Sequence, residues 1–401
     1  MKRNGIFFIF LCLLFFSTSS QAWVELHSHA FMKHGMGALF QGDFFGPLKS
    51  KSWKQMLRSN LNAESLEKSN VRIFIAALYA HPILASRPGA LWHKGVRSSI
   101  LAQIDEAKQF VKRNPEWELV TNPKQGRMAY EKGKKLLILS LEGAHSIFNS
   151  AKDFKDFIDD GGISMITPTH LINNDYAGSS YMRGLRKTAF TLKPIYFRIR
   201  NGIKVNPMGL TQKGRELIRT LIAKKVWIDM THMSDAAQAE VIPMLEAAGQ
   251  PLLYTHTALR KYYKAERGIS QQQLQEVKRQ GGMVGLVASQ EMLVDTKVPN
   301  WLCPSKCDCQ RDQVLRLATH YAEMVNILGQ ENVALGSDFN GGIPHLPKTR
   351  CITHTSLDQK GLVDISQVPE LLATMAHKIP GAINSKAQEL QFLNLWARLY
   401  K

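Results

Sequence analysis

Beyond its first 22 residues, this 401-residue chain has no apolar run near the roughly 20 residues a bilayer-spanning helix requires. Its end, Leu395–Lys401, is no lipid-anchor tail. It has no internal repeat, no low-complexity tract and no linker marking a second domain, so residues 23–401 read as a single domain. Acidic residues are scarce: 33 Asp and Glu stand against 51 Lys and Arg, a formal charge of +18. Such a chain is attracted to anionic surfaces. An RNA-binding signature and a compact basic helix are both missing, so the charge reads as a solvated basic surface and nucleic acid is not an expected partner. Cysteine is sparse too, with 5 in the chain. Cys12 falls in an N-terminal stretch with the plan of a secretory signal: Lys2 and Arg3, the apolar run Ile6–Phe16, and Ser20-Gln21-Ala22 as a cleavage site. Cleavage there would start the mature chain at Trp23, in the periplasm or outside the cell, with no stable membrane span. The remaining Cys303, Cys307, Cys309 and Cys351 would then form two disulfides, with three connectivities open. A zinc knot built on Cys303, Cys307 and Cys309 would want a fourth ligand nearby in sequence, and none is there.

What the chain does have is a recurring pattern. Val24 to His29 is an apolar run ending in two histidines two residues apart, a spacing that aims both imidazoles to one side of a strand. Leu136–Ser140 runs into Glu142, Val226–Met230 into His232, Pro251–Tyr254 into His256, and Val333–Gly336 into Asp338. Core packing alone does not place a metal-type ligand at the end of five apolar runs. Strands are expected at 24–28, 72–80, 136–141, 162–167, 226–231, 252–255, 282–288 and 332–336, most of them near-continuous apolar runs like those of a parallel sheet covered on both faces. Amphipathic helices are expected between them, at 98–113, 213–225 after Thr211, 236–248 after Ser234-Asp235, and 313–328. This alternation predicts an α/β fold, a (β/α)8 TIM-like barrel with long βα-loop insertions. The insertions are Asn173–Pro207, basic and aromatic, and Gln290–Asp312, which carries three of the cysteines. In such barrels the site lies at the C-terminal strand ends, where His27, His29, Glu142, His170, His232, His256 and Asp338 all fall.

Two metals at one site need nitrogen ligands and a shared anion. His27 and His29 suit one ion, His232 and His256 a second, and Glu142 can bridge them. This donor set favours Zn²⁺, with Mn²⁺, Fe²⁺ or Co²⁺ as alternatives. Asp338, in Gly336-Ser337-Asp338-Phe339, can close the ligand set and accept the proton of an attacking water, and His170 can donate to a developing oxyanion. Asp229 and Ser234 flank His232 and are candidates to orient it.

These segments resemble the renal or membrane dipeptidase family, the M19 peptidases of the amidohydrolase superfamily. The resemblance covers nearly the whole chain after residue 22. It is carried by Glu142-Gly143-Ala144, Thr167-Pro168-Thr169-His170, Gly209–Gly214, Ile228–Ser234, Tyr254-Thr255-His256-Thr257 and Ala334–Gly341. It implies a binuclear zinc barrel that hydrolyses the peptide bond of dipeptides, and it points to homodimers, which are frequent in the family. By the same resemblance Glu142 bridges the metals, His27, His232 and His256 ligate, His170 contacts the transition state, Asp338 is general acid and base, and Arg267 clasps the substrate carboxylate, a role its fork suits. The chain departs from the family at three places. His29 stands where Asp is usual, which keeps a ligand and removes one negative charge. Gly268 and Gln271 follow Arg267 in place of Asn and an acidic residue, and Val287-Ala288-Ser289-Gln290 lacks the usual Asn-Phe pair. The alternatives are an amidase, deacetylase or lactonase of the same superfamily, or an inactive envelope-binding barrel. The orientation of Arg267 discriminates dipeptidase from the other hydrolases.

Overall fold

The computed structural model describes residues 22–32, 59–81, 95–183, 197–304 and 307–401. The expected export signal and the middle of the basic insertion lie outside the described residues. The strands in chain order are β1 Trp23–Ser28, β2 Val71–Leu78, β3 Trp117–Leu119, β4 Lys135–Glu142, β5 Ile163–Thr167, β6 Arg198–Arg200, β7 Ile203–Val205, β8 Trp227–Ile228, β9 Leu253–Thr257, β10 Met283–Leu286 and β11 Val333–Leu335. Eight of them form one parallel sheet in the order β8-β5-β4-β2-β1-β11-β10-β9. A parallel bridge between Asp229 and Leu253 joins its two ends, with Met230 N donating to Leu253 O at 2.8 Å. The result is the expected eight-stranded (β/α)8 barrel. β3 pairs beside β4 outside the ring, and β6 and β7 form a separate antiparallel hairpin.

The helices start where their caps predict. Thr211 accepts from Gly214 N at the head of Gln212–Ala223, and Ser234 from Ala237 N at the head of Asp235–Ala247. The helix expected at 313–328 is Gln313–Leu328, capped by Asp312. The barrel interior is apolar at its lower end: Val24, Leu26, Ile73, Leu136, Ile138, Trp227 and Leu253 pack with Phe392 and Trp396 of the last helix, Ser385–Arg398. The Trp227 and Phe392 rings lie 5.7 Å apart and plug the end opposite the site. Among the described residues no helix is long and apolar enough to cross a membrane.

The register of the sheet shifts at four places, and two of these shifts lie at histidines of the strand ends. Between Glu25 and Ser28, β1 advances three residues while β2 advances two, from Phe74 to Ala76. Between Tyr254 and Thr257, β9 does the same against Val284 and Leu286 of β10. Such bulges re-aim side chains. Without the first, His27 would follow Glu25 away from the interior that Val24 and Leu26 face.

The four cysteines are joined as Cys303–Cys309 and Cys307–Cys351, which leaves no sulfur for a zinc knot. The second bond ties the insertion after β10 to the segment after β11 across a separation of 44 residues. On chain-entropy grounds a loop of that size is worth about 4 kcal/mol. Cys351→Ala should lower the free energy of unfolding by roughly that amount in a denaturant titration, and unchanged stability would show that the bond does not constrain the unfolded chain.

Candidate metal centre

The site is built around Glu142, the last residue of β4, which is 2% exposed. Its Oε1 lies 3.4 Å from His27 Nε2, 3.3 Å from His232 Nε2 and 3.5 Å from His256 Nε2. Its Oε2 lies 3.4 Å from His29 Nε2 and 3.6 Å from His170 Nε2. The imidazoles also face each other: His27 and His29 Nε2 are 3.4 Å apart, His232 and His256 Nε2 3.0 Å. Two three-residue groups meet metal-ligand spacing around this carboxylate, His27–His29–Glu142 and Glu142–His232–His256. These are the pairs expected from sequence. Asp338 stands beside them rather than in either group, its Oδ1 3.2 Å from His29 Nε2. Both His232 (φ +67) and Asp338 (φ +59) hold left-handed backbone, a conformation that costs a non-glycine residue about 1 kcal/mol or more and is kept only where the surroundings enforce it.

A hydroxyl the sequence reading gave no role settles which nitrogens face the centre. Thr255 Oγ1 donates its one proton to Asp229 Oδ2, at 2.6 Å. The same oxygen lies 3.2 Å from His27 Nδ1 and 3.0 Å from His256 Nδ1. With the hydroxyl proton committed, both Nδ1 atoms must be the donors, so both Nε2 atoms present lone pairs to Glu142. Asp229 accepts from Thr167 Oγ1 (2.7 Å) as well, and its Oδ1 from Thr231 N and Thr255 N (3.0 Å each). Asp229 meets ligand spacing with His27 and His256 too, but its oxygens are saturated, so it anchors Thr255 instead. Glu25 supports the bulge below: its Oε1 accepts from His27 N (3.0 Å) and Ser337 N (2.7 Å), and Ser337 Oγ bonds its other oxygen. Burial pushes the Glu25 carboxyl up to about 8.

Burial sets the electrostatics of the cluster. Burial holds His27, His170 and His256 well below the usual histidine range, so they are neutral. At His29 burial works the same way, but the hydrogen bond to Asp338 and the charges of Glu142 and Asp338 outweigh it and raise the pKa. Burial, aided by Asp338 and Asp229, drives the Glu142 carboxyl above the usual range. Glu142 Oε2 has no hydrogen-bond partner among the described residues. Converging lone pairs around an under-bonded carboxylate call for a cation, and the donor set of imidazole and carboxylate suits zinc or a similar transition ion.

Arg267 points at this centre. It is 5% exposed, its Nη2 donates to His256 O at 2.8 Å, and its Nε donates to His232 Nδ1 at 3.2 Å. A ligating His232 needs its hydrogen on Nδ1, so ligation and that last contact exclude one another. Nη1 of Arg267 has no partner among the described residues. His170 sits at the mouth, with Tyr79 edge-on 4.4 Å away. Tyr79, Thr255 and Glu25 are additions to the residues expected from sequence.

A family model described as membrane dipeptidase (peptidase family M19) matches residues 23–395. Similar proteins include an uncharacterized dipeptidase of Schizosaccharomyces pombe, 25% identical over 74% of this chain and 60% of its own. Another is dipeptidase 3 of Rattus norvegicus, 23% identical over 69% of this chain and 47% of its own. This chain thus spans less than two thirds of either relative. In fold it is similar to a metallo peptidase from Rhodobacter sphaeroides liganded with a phosphinate mimic of the dipeptide L-Ala-D-Ala, with a TM-score of 0.65, 17% identity, and 94% of this chain and 99% of that one covered. The probable dipeptidase PvdM from Pseudomonas aeruginosa gives a TM-score of 0.64 at 16% identity, covering 95% of this chain and 96% of that one.

Two outcomes follow from the geometry. Because burial keeps Glu142 protonated above the usual range, a metal must displace that proton, so apparent metal affinity should fall by about tenfold per pH unit as pH drops through its raised pKa. Calorimetric titration of metal-free protein in buffers of different ionisation enthalpy should show the proton released, and pH-independent affinity with no release would refute the assignment. In addition, a Cβ at Gly285 would stand 1.8 Å from Thr255 O, the carbonyl beside the β9 bulge. Gly285→Ala should cost about 1–3 kcal/mol of stability and reduce bound metal in elemental analysis by shifting Thr255 and His256.

Proposed function

This chain belongs to the membrane dipeptidase family, peptidase family M19, and from that premise we propose that it is an exported, binuclear metal-dependent dipeptidase. Zn²⁺ is the first choice of ion, with Mn²⁺, Fe²⁺ or Co²⁺ as alternatives. His27, His29 and Glu142 would hold one ion, and Glu142, His232 and His256 the other. When bound, the pair would polarise the scissile carbonyl and acidify water.

The protein's own groups do the rest. Asp338 lies 3.2 Å from His29, with 11% of its side chain open to the mouth. It receives the proton of the attacking water and passes it to the leaving amine. His170 is kept neutral by burial and donates an N–H to the oxygen that gains charge. Thr255 keeps His27 and His256 in the tautomer that a ligand needs.

The observation that carries the dipeptide reading is Arg267. A buried guanidinium with an unpartnered Nη1, next to the histidines of the centre, is costly unless an anion completes it. The free carboxylate of a dipeptide is such an anion, at a fixed distance from the scissile bond, and its capture would orient the carbonyl. A generic amide or lactone brings no such group. The dipeptide mimic bound by the Rhodobacter sphaeroides relative supports the same substrate class. The two disulfides support an oxidising compartment, periplasmic or extracellular.

Arg267→Ala should lower kcat/KM for a dipeptide by roughly 2–4 kcal/mol. It should leave metal content unchanged and scarcely alter the slow hydrolysis of the corresponding C-terminal amide. Equal losses on acid and amide would shift the reading to an amidase of the same superfamily.

A further inference from the structure

The residue before Arg267 is a second buried ionisable group, and the proposed chemistry does not use it. Glu266 is 1% exposed. Its side chain gathers three backbone donors. Oε2 accepts from Tyr181 N at 2.8 Å and from Asn206 N at 2.9 Å, and Oε1 accepts from Asp235 N at 2.9 Å. Each donor belongs to a different part of the site. Tyr181 and Asn206 stand at the two ends of the long insertion between β5 and β8, where it leaves and rejoins the barrel. Asp235 opens the helix Asp235–Ala247, three residues beyond His232. The main chain adds to this. Arg267 N donates to Tyr181 O at 2.9 Å, and Ser180 N donates to His232 O at 2.7 Å. Residues 180–181, 232–235 and 266–267 therefore form one hydrogen-bonded ring around the place where Arg267 meets His232, and the Glu266 carboxylate closes it on two sides. The second side chain at this junction, Asn206, bonds Asn173 Oδ1 (2.6 Å) and Ser179 O (2.7 Å), which braces the same two ends.

We propose that Glu266 is a positioning residue for substrate recognition: by holding Tyr181, Asn206 and Asp235 together it fixes the backbone of Arg267 and sets where the guanidinium can meet a substrate carboxylate. The inference rests on the reading of Arg267 as the carboxylate-binding group. A buried carboxylate with three N–H donors is a rigid anchor, because releasing any donor leaves it unpaired in a low-dielectric interior. Gly268 packs close: a Cβ there would lie 3.0 Å from the Arg260 Cα.

The test compares Glu266→Ala, Glu266→Gln, Arg267→Ala and the Ala/Ala double variant as metal-loaded full-length protein, on a dipeptide and on its C-terminal amide. Glu266→Gln can keep an oxygen on Tyr181 N and Asn206 N and loses the bond to Asp235 N, so it is the conservative rescue. KM for the dipeptide should rise by about a hundredfold in Glu266→Ala and about tenfold in Glu266→Gln, with kcat within about threefold and metal content unchanged. Hydrogen exchange at Tyr181 and Asn206 should accelerate in the alanine variant. Acting through Arg267, the double variant should be no worse than Arg267→Ala alone. Multiplying losses, or a Glu266→Ala loss equal on acid and amide while Arg267→Ala remains selective for the acid, overturns the inference and leaves the reading of Arg267 standing. An Arg267→Ala variant that loses acid and amide alike overturns that reading itself, and with it the role given to Glu266.

Discussion

A buried carboxylate that five imidazoles approach is an unstable arrangement unless something positive lies between them. Glu142 is that carboxylate, and most of what is unusual in this barrel serves to hold it there. Its nitrogen neighbours sit at 3.3–3.6 Å. Three of the five histidines are held neutral by burial, so they offer lone pairs rather than charge. The protein alone compensates Glu142 only partly, by keeping a proton near it and a guanidinium beside it. A folded chain that retains such an imbalance at one spot, while plugging the opposite end of the barrel with Phe392 and Trp396, spends stability at the site and recovers it elsewhere.

The alignment of that cluster depends on backbone irregularity more than on side-chain identity. A regular β1 would send His27 outward with Glu25. One extra residue brings His27 inward with His29, and the cost of the disturbed ladder is met by Glu25, which bonds the amides of His27 and Ser337. The β9 bulge acts in the same way on Thr255 and His256. The Thr255 carbonyl then projects to where Cβ atoms on Gly285 or Gly336 would stand, at 1.8 and 1.9 Å. Both glycines are therefore required by close approach. Asp229, Thr255, His27 and His256 form one network, in which a saturated carboxylate orders a hydroxyl and the hydroxyl orders two rings.

Much of this is readable in the sequence, for identifiable reasons. Each barrel strand is buried on both faces, so it shows as an apolar run, and the runs end at the clustered histidines and carboxylates because the C-terminal strand ends form the mouth. Thr211 and Ser234 mark their helices because capping is local chemistry. The two bulges are not legible, because one extra residue leaves the apolar pattern of Val24–Leu26 unchanged, and their effect appears only against β2 and β10. The roles of Glu25 and Thr255 depend on partners 312 and 228 positions away along the chain, so no local pattern reveals them. The hairpin β6–β7 is a different case. Asn201-Gly202, with φ of +49 and +74, is the two-residue turn signal flanked by Ile199 and Ile203, and it is hidden only by the basic, aromatic character of the surrounding insertion.

The exchange of an expected aspartate for His29 can be weighed against this structure. An aspartate there would add another buried carboxylate close to Glu142, whose carboxyl is already raised by burial and by the charge of Asp338. His29 instead donates toward Asp338 at 3.2 Å and is itself raised by Asp338 and Glu142 against the pull of burial. In the binuclear reading, a bound pair of ions would have one negative charge fewer to offset it and would hold an anionic or polarised oxygen more strongly. The same lack of negative charge makes the neighbouring guanidinium of Arg267 harder to bury alone. On that reading, a centre poorer in carboxylates leaves its cationic neighbour more dependent on backbone contacts, which is where the hydrogen bonds of Glu266 act.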